Sequence, residues 1–336
     1  MYNVLACGSN GNFQLGIDDD IDRDELELVK FKVGDAIVTN LQEKPRDIIC
    51  GGNHSFILCE NGDLYGCGDN SQGQLGLEQD FVSVFTQIPG RFQFVSAGWE
   101  FSIFVTNENE VYSCGQGMKG ELGLGEAIVS CRKLTKIPLD IKIHSIKSCM
   151  NHTIMSTSQG LYGWGVSKNG KLGITSEKIL YQPKKLEFDM DPIEDYCIGR
   201  DFTVIKSAND YKIHGRFNYN QDFDIVPNTI IKSMWSSIHF LKNNHIISVG
   251  NNSHGQFYPG SDLKIDEFTV GSEHGLIIFN NQVYAWGWGE HGNCGKLKHD
   301  DVVVNQLQQI YLGIHEPIMI KGGLATSWVV VKINFV

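Results

Sequence analysis

A ten-residue pattern recurs seven times in this chain and limits the fold more than any other feature. The copies read CGSNGNFQLG (7–16), CGDNSQGQLG (67–76), CGQGMKGELG (114–123) and WGVSKNGKLG (164–173), then HGRFNYNQDF (214–223), VGNNSHGQFY (249–258) and WGWGEHGNCG (286–295). They align without a gap. Each is a short hydrophobic lead, a glycine and a polar turn, and three close on Gly-x-Leu-Gly, at 73–76, 120–123 and 170–173. A second stretch precedes every copy after the first, at 48–58, 95–105, 146–156, 195–205, 233–241 and 268–278, and appears once more at 320–331. It is two apolar β-rich runs joined by a turn that contains glycine in five of the seven.

The order of the two stretches implies a ring. The chain starts with the second half of one unit and ends with the first half of another, so residues 320–331 should pair with residues 3–8. A ring needs that closure to leave no open strand edge, whereas a linear solenoid would carry capping repeats. Within a unit the segments are β-branched or aromatic, and Asn61-Gly62 is a hairpin signal between two of them. No long segment has helical periodicity. The pattern predicts an all-β, seven-bladed β-propeller closed by its N- and C-terminal strands, with residues 1–336 as a single domain.

Composition agrees. Glycine supplies 37 of 336 residues, about 11% against a usual share of roughly 7%, as many tight turns require. The formal net charge is -11, and the basic residues are scattered, which argues against direct binding of nucleic acid. Nine cysteines without a secretory signal point to a reduced, intracellular protein. No apolar run reaches the roughly 18 residues that cross a bilayer, so no membrane association is expected.

The repeat frame disposes of several apparent motifs. Cys294 falls in the position of Leu15, Leu75, Leu122 and Leu172, so it should be a buried small hydrophobe. His291 falls in an exposed turn, and the His-x-x-Cys pair should hold no metal. The Gly-x-Gly-x-x-Gly strings at Gly115 and Gly287 lack a following helix, and Leu172 replaces the hydroxyl residue of a Walker loop. No cofactor is expected. Cys7, Cys67 and Cys114 share a position that reads as packing between blades. His54, His152 and His274 share another, aligned with Phe101, Phe202, Ile238 and Ala325, which favours a buried structural imidazole. No catalytic set emerges from any serine, histidine or carboxylate, so the expectation is a protein that is not an enzyme.

Function should then sit where the pattern breaks on one rim. The variable turn residues of the apolar stretch are Gly52-Asn53, Trp99-Glu100, Met150-Asn151, Arg200-Asp201, Ser236-Ser237, Ser272-Glu273 and Gly323-Leu324, with Trp235 placed where other units have glycine. Trp288 breaks the ten-residue pattern, where Ser9 and Asp69 stand in other copies. Tryptophan and arginine in turns are anchors of protein interfaces. They can equally plug a propeller's central tunnel, and the two stretches can open on opposite rims. The residues expected to bind a partner are Trp99, Arg200, Asp201, Trp235, His239, Glu273 and Trp288.

These signatures resemble the repeats of the regulator-of-chromosome-condensation family, most closely in Gly51-Gly52-Asn53-His54-Ser55, Leu64-Tyr65-Gly66-Cys67-Gly68 and Gly73-Gln74-Leu75-Gly76. The resemblance spans essentially the whole chain and fades in the fifth unit, where HGRFNYNQDF lacks the closing glycine and leucine. Segments 233–239, 270–275, 286–295 and 322–328 are similar to a fungal branch of that family, that of the alpha-tubulin suppressor and killer-toxin-insensitivity proteins. That resemblance implies a non-catalytic regulatory subunit of the cytoplasm and nucleus. Its partner would be a small four-cysteine zinc- or iron-binding protein, held as a heterodimer. The pathways would be diphthamide synthesis and Elongator-dependent modification of tRNA wobble uridine, Elongator itself being reached indirectly. Resemblance to the founding member implies an alternative, a guanine-nucleotide exchange factor for a small GTPase. Against it, the long segments 17–47, 124–141, 174–192 and 296–316 show no apolar wedge, and no basic N-terminal tail is present.

Overall fold

The computed structural model describes residues 1–218, 225–261, 263–297 and 301–333, and its strands fall into seven sheets. Blade I is split between the termini. Its inner strands Glu316–Gly322 and Thr326–Lys332 come from the end of the chain, and Tyr2–Gly8 and Arg23–Leu28 from the start. The closing pair is antiparallel and continuous from Tyr2↔Lys332 to Gly8↔Thr326. Blades II to VII start from inner strands Pro45–Cys50, Phe92–Ala97, Ile143–Cys149, Asp195–Ile198, Ile230–Ser233 and Glu267–Val270. All seven inner strands line a central channel of about 300 Å3. The ring is therefore the seven-bladed propeller that the repeat predicts, with the terminal strands as its clasp.

One glycine per unit explains why the pattern holds even where its other residues drift. Gly8, Gly68, Gly115, Gly165, Gly215, Gly250 and Gly287 all have φ between +94° and +113°. A Cβ at any of them would collide with a carbonyl oxygen of the turn in the same blade, from Ala325, Asn53, Glu100, Asn151, Asp201, Ser236 and Glu273 in turn. An L side chain is strained at that φ and has no room there. The residue one place later donates its N–H to the same carbonyl, as in Asp69 N to Asn53 O at 2.8 Å and Trp288 N to Glu273 O at 3.0 Å. The two turns of each blade are thus bonded together and open on one face.

Packing between blades uses the remaining pattern positions. Leu15, Leu75, Leu122, Leu172 and Cys294 are all buried, so the thiol does replace a leucine. The residue before the fixed glycine reaches the preceding blade: Trp164 Nε1 donates to Glu121 O and Trp286 Nε1 to Gln256 O, both at 2.9 Å, and Cys67 Sγ to Gln14 O at 3.4 Å. An indole or a thiol can fill that slot because each brings bulk and a donor. His54, His152 and His274 are buried, with His54 Nε2 bonded to Ser102 Oγ and His274 Nε2 to Ser327 Oγ in neighbouring units.

Two expectations need correction. In blades VI and I the turn register is one residue off. Met234 N donates to Ser237 O, as Gly51 does to His54, Gly98 to Phe101 and Gly323 to Thr326. The histidine position is therefore held by Ser237 and Thr326, not Ile238 and Ala325. Met234, not Trp235, replaces the glycine, and Trp235 aligns with Gly52, Trp99 and Arg200. The stretch SMWSSIHFL has no glycine to anchor an alignment, and Gly322-Gly323 offers two.

The long segments are also more than loops. They contain the outer strands Arg23–Leu28, Ser130–Ile137, Ile179–Lys185 and Val303–Tyr311. Half-exposed edge strands lack the run of apolar residues that marks the inner ones. Segment 17–47 further holds a hairpin, Phe31–Val33 with Ala36–Val38, which extends blade II by parallel pairing of Phe31 with Phe85. Val33 and Ile37 are exposed beside its turn. In the fifth copy, residues 219–223 lie outside the described residues.

Candidate protein-binding face

The channel mouth is a belt of backbone hydrogen bonds that runs from blade to blade. Trp99 N donates to Met150 O, Arg200 N to Trp235 O, Trp235 N to Ser272 O and Ser272 N to Gly323 O, at 2.8 to 3.1 Å. These turns hold each side chain at a fixed place on the rim. Trp99 from blade III and Trp235 from blade VI meet across the mouth with ring centroids 6.3 Å apart. Trp235 borders three spaces at once: the channel, a cavity of about 240 Å3 and a second of about 380 Å3. Trp99 remains 42% exposed, so the pair presents an aromatic surface outward.

The 240 Å3 cavity gathers four of the seven residues proposed from sequence, Trp99, Trp235, Glu273 and Trp288. The turn that carries Trp288 opens on the same face as the turn that carries Trp235, because Trp288 N donates to Glu273 O and Trp235 N to Ser272 O in one and the same turn of blade VII. Trp288 is backed by His254, stacked at 4.3 Å and 15°. The other three tryptophans, Trp164, Trp286 and Trp328, are fully buried in the core. Half of the chain's six indoles are therefore collected at one mouth.

Glu273 is the charged member of the cavity and is only 8% exposed. Its Oε2 accepts from Ser236 Oγ at 2.8 Å and Gln256 Nε2 at 2.9 Å. Burial raises its pKa, and these two donors with the nearby Arg200 charge oppose the shift. Ser236 occupies the same turn position in blade VI that Glu273 holds in blade VII, and Gln256 is the glutamine of the Gly-x-Leu-Gly-type closure. Ser236 stands among the variable turn residues read from sequence, whereas nothing in the sequence singles out His254 or Gln256. VGNNSHGQFY is a weak copy, and nothing in it shows that its histidine reaches the next blade.

The remaining candidates separate. Arg200 and Asp201 line the 380 Å3 cavity on the other side of Trp235, with Arg200 Nε 3.3 Å from Asp201 Oδ2. The Arg200 carbonyl accepts from the buried Lys171 Nζ at 2.9 Å, which fixes that turn. His239 does not belong to the face. It is fully buried in strand Ser237–Lys242, bonded to Ser237 Oγ and Ser248 Oγ at 3.0 and 2.9 Å, and burial lowers its pKa to about 3. The one-residue slip in blade VI had moved it toward the rim. His291 is on the surface, 2.9 Å from Asp22. Among the described residues no group of three or more His, Cys, Asp or Glu side chains could hold a metal ion.

Comparison with known proteins bears on these features. Models described as "Regulator of chromosome condensation (RCC1) repeat" match residues 46–74, 92–120 and 61–105. An RCC1 repeat-containing protein of Schizosaccharomyces pombe is 29% identical over 98% of this chain and 99% of its own length. The secretion-regulating guanine nucleotide exchange factor of Bos taurus is 25% identical over 93% of this chain and 80% of its own. Among solved structures, Prp20p of Saccharomyces cerevisiae superposes with a TM-score of 0.80, at 17% identity over 99% of this chain and 92% of that one. Human WBSCR16 gives 0.79 at 16% identity, covering both chains fully.

Proposed function

We propose that this chain, which belongs to the regulator of chromosome condensation (RCC1) repeat family, is a non-catalytic regulator that binds another protein over the Trp99–Trp235–Trp288 mouth. The observation that carries this is the placement of Trp235, which borders the channel and both rim cavities at once. Large rigid aromatics beside pockets are the side chains that dominate protein interfaces. The proposed partner is the small four-cysteine metal protein implied by the resemblance of the later units, with roles in diphthamide synthesis and Elongator-dependent wobble-uridine modification. Isothermal titration of the two proteins, wild type beside Trp235→Ala, tests it, with circular dichroism as the folding control. The reading requires one-to-one binding that the substitution weakens by about 2 kcal/mol. Wild-type protein that fails to bind would remove this partner.

A second reading, nucleotide exchange on a small GTPase, is favoured by two observations. One is the similarity to the bovine exchange factor, and the other is the hairpin at Phe31–Val38 with exposed Val33 and Ile37. Its test is release of labelled GDP from small GTPases, with Val33→Asp/Ile37→Asp as the control that should abolish it.

A further inference from the structure

An apolar plug does not explain the composition of the 240 Å3 cavity. Its lining carries three indoles, two carboxylates, Glu273 and Glu290, and one histidine, His291, with neither lysine nor arginine. The Glu273 carboxylate is nearly buried, yet among the described residues only its Oε2 accepts hydrogen bonds and it forms no ion pair. The basic groups around it have other partners: His291, in the lining itself, is paired with Asp22, Arg200 is paired with Asp201, and His254 is stacked on Trp288. A desolvated carboxylate beside aromatic faces lacks one component, a cation. Indole faces attract cations through the negative face of the ring, most strongly where water is excluded.

We infer that this cavity receives the basic side chain of a partner protein, with its ammonium or guanidinium group set against Trp99, Trp235 and Trp288 and paired with Glu273. The inference rests on the protein-binding reading above and adds to it the chemistry of the anchor. The net charge of -11 favours approach of a basic surface in the same direction. The volume of about 240 Å3 suits one long side chain rather than a helix or a strand. The two carboxylates make a neutral apolar anchor the poorer occupant.

The test uses the full chain and the acetylated amides of lysine, trimethyl-lysine and arginine, beside the neutral tert-butyl isostere of trimethyl-lysine. Binding is read from the indole Nε1–H resonances of Trp99, Trp235 and Trp288, assigned by single Trp→Phe variants. The expected result is that at least one cationic compound shifts all three resonances and the isostere binds about tenfold more weakly. Which cation binds best separates ammonium, methylated and guanidinium anchors. Glu273→Gln, nearly isosteric, should weaken the cation by about tenfold and leave the isostere unchanged. Equal binding of the cation and its isostere, or no shift with any compound, overturns the inference. Loss of partner binding in the titration above, with cation binding retained, would refute the partner and not the cage. The reverse pattern would refute the cage alone.

Discussion

Replacing His54 by Phe should flatten the acid limb of this protein's stability curve. Burial lowers the His54 pKa from 6.5 to about 4, and that of His274 likewise, while His239 falls to about 3. A depressed histidine pKa means that the unfolded chain takes up the proton first. The stability it contributes is complete above the unfolded value of 6.5 and is lost as pH falls toward the folded value. At about pH 5 the linkage relation gives a loss of roughly 2 kcal/mol per imidazole, or roughly 6 kcal/mol for the three. Total stabilities of about 5–15 kcal/mol make that a large fraction. Phe suits the position because Phe101 and Phe202 fill it in blades III and V. The substitution leaves Ser102 Oγ without its histidine partner, a penalty of about 1 kcal/mol at neutral pH. Urea unfolding at about pH 8 and about pH 5 should therefore show the variant slightly less stable at the higher pH. Its loss between the two should be smaller than the wild-type loss by about 2 kcal/mol. Carboxylates are common to both proteins and cancel. Equal losses would refute the claim that His54 is held neutral by the fold.

The same comparison of variants tests the scaffold elsewhere. Gly115→Ala, at φ +107° and against the Glu100 carbonyl, should cost several kcal/mol, whereas Gly11→Ala, with open space around it, should cost about 1 kcal/mol or less; urea midpoints read both. Trp328→Ala removes a fully buried ring of the clasp strand, and its cost of about 3–5 kcal/mol should appear as one cooperative loss of the whole ring, because the first and last strands hold it shut. Cys294→Ser, with a hydroxyl in a leucine position, should lower the melting temperature, while a chelator should leave the wild-type melt unchanged.

Most of the scaffold was legible because its requirements are steric and repeat at a fixed spacing. A glycine that no other residue can replace marks each blade, and the leucine and histidine positions follow from it. The outer strands were not legible, since strands such as Ser130–Ile137 expose one face and one edge and need little apolar sequence. The turn of blade VI was misread for a related reason: Met234 replaces the anchoring glycine, and only its hydrogen bond to Ser237 fixes the register. The site was half legible. Trp99, Trp235, Glu273 and Trp288 could be chosen as departures from the pattern, but their convergence comes from blades III, VI and VII. His254 and Gln256, which back and hold that cluster, sit in a degenerate copy whose side-chain directions no periodicity reveals.

Hydrogen exchange of the chain with and without the small four-cysteine metal protein tests the central claim most directly. The account predicts slowed exchange in the rim turns around residues 52–54, 99–101, 235–237, 272–274 and 288–293, and little change in the outer strands Ser130–Ile137 and Ile179–Lys185. Protection confined to the outer strands or to the opposite face, with the rim turns unchanged, would contradict it.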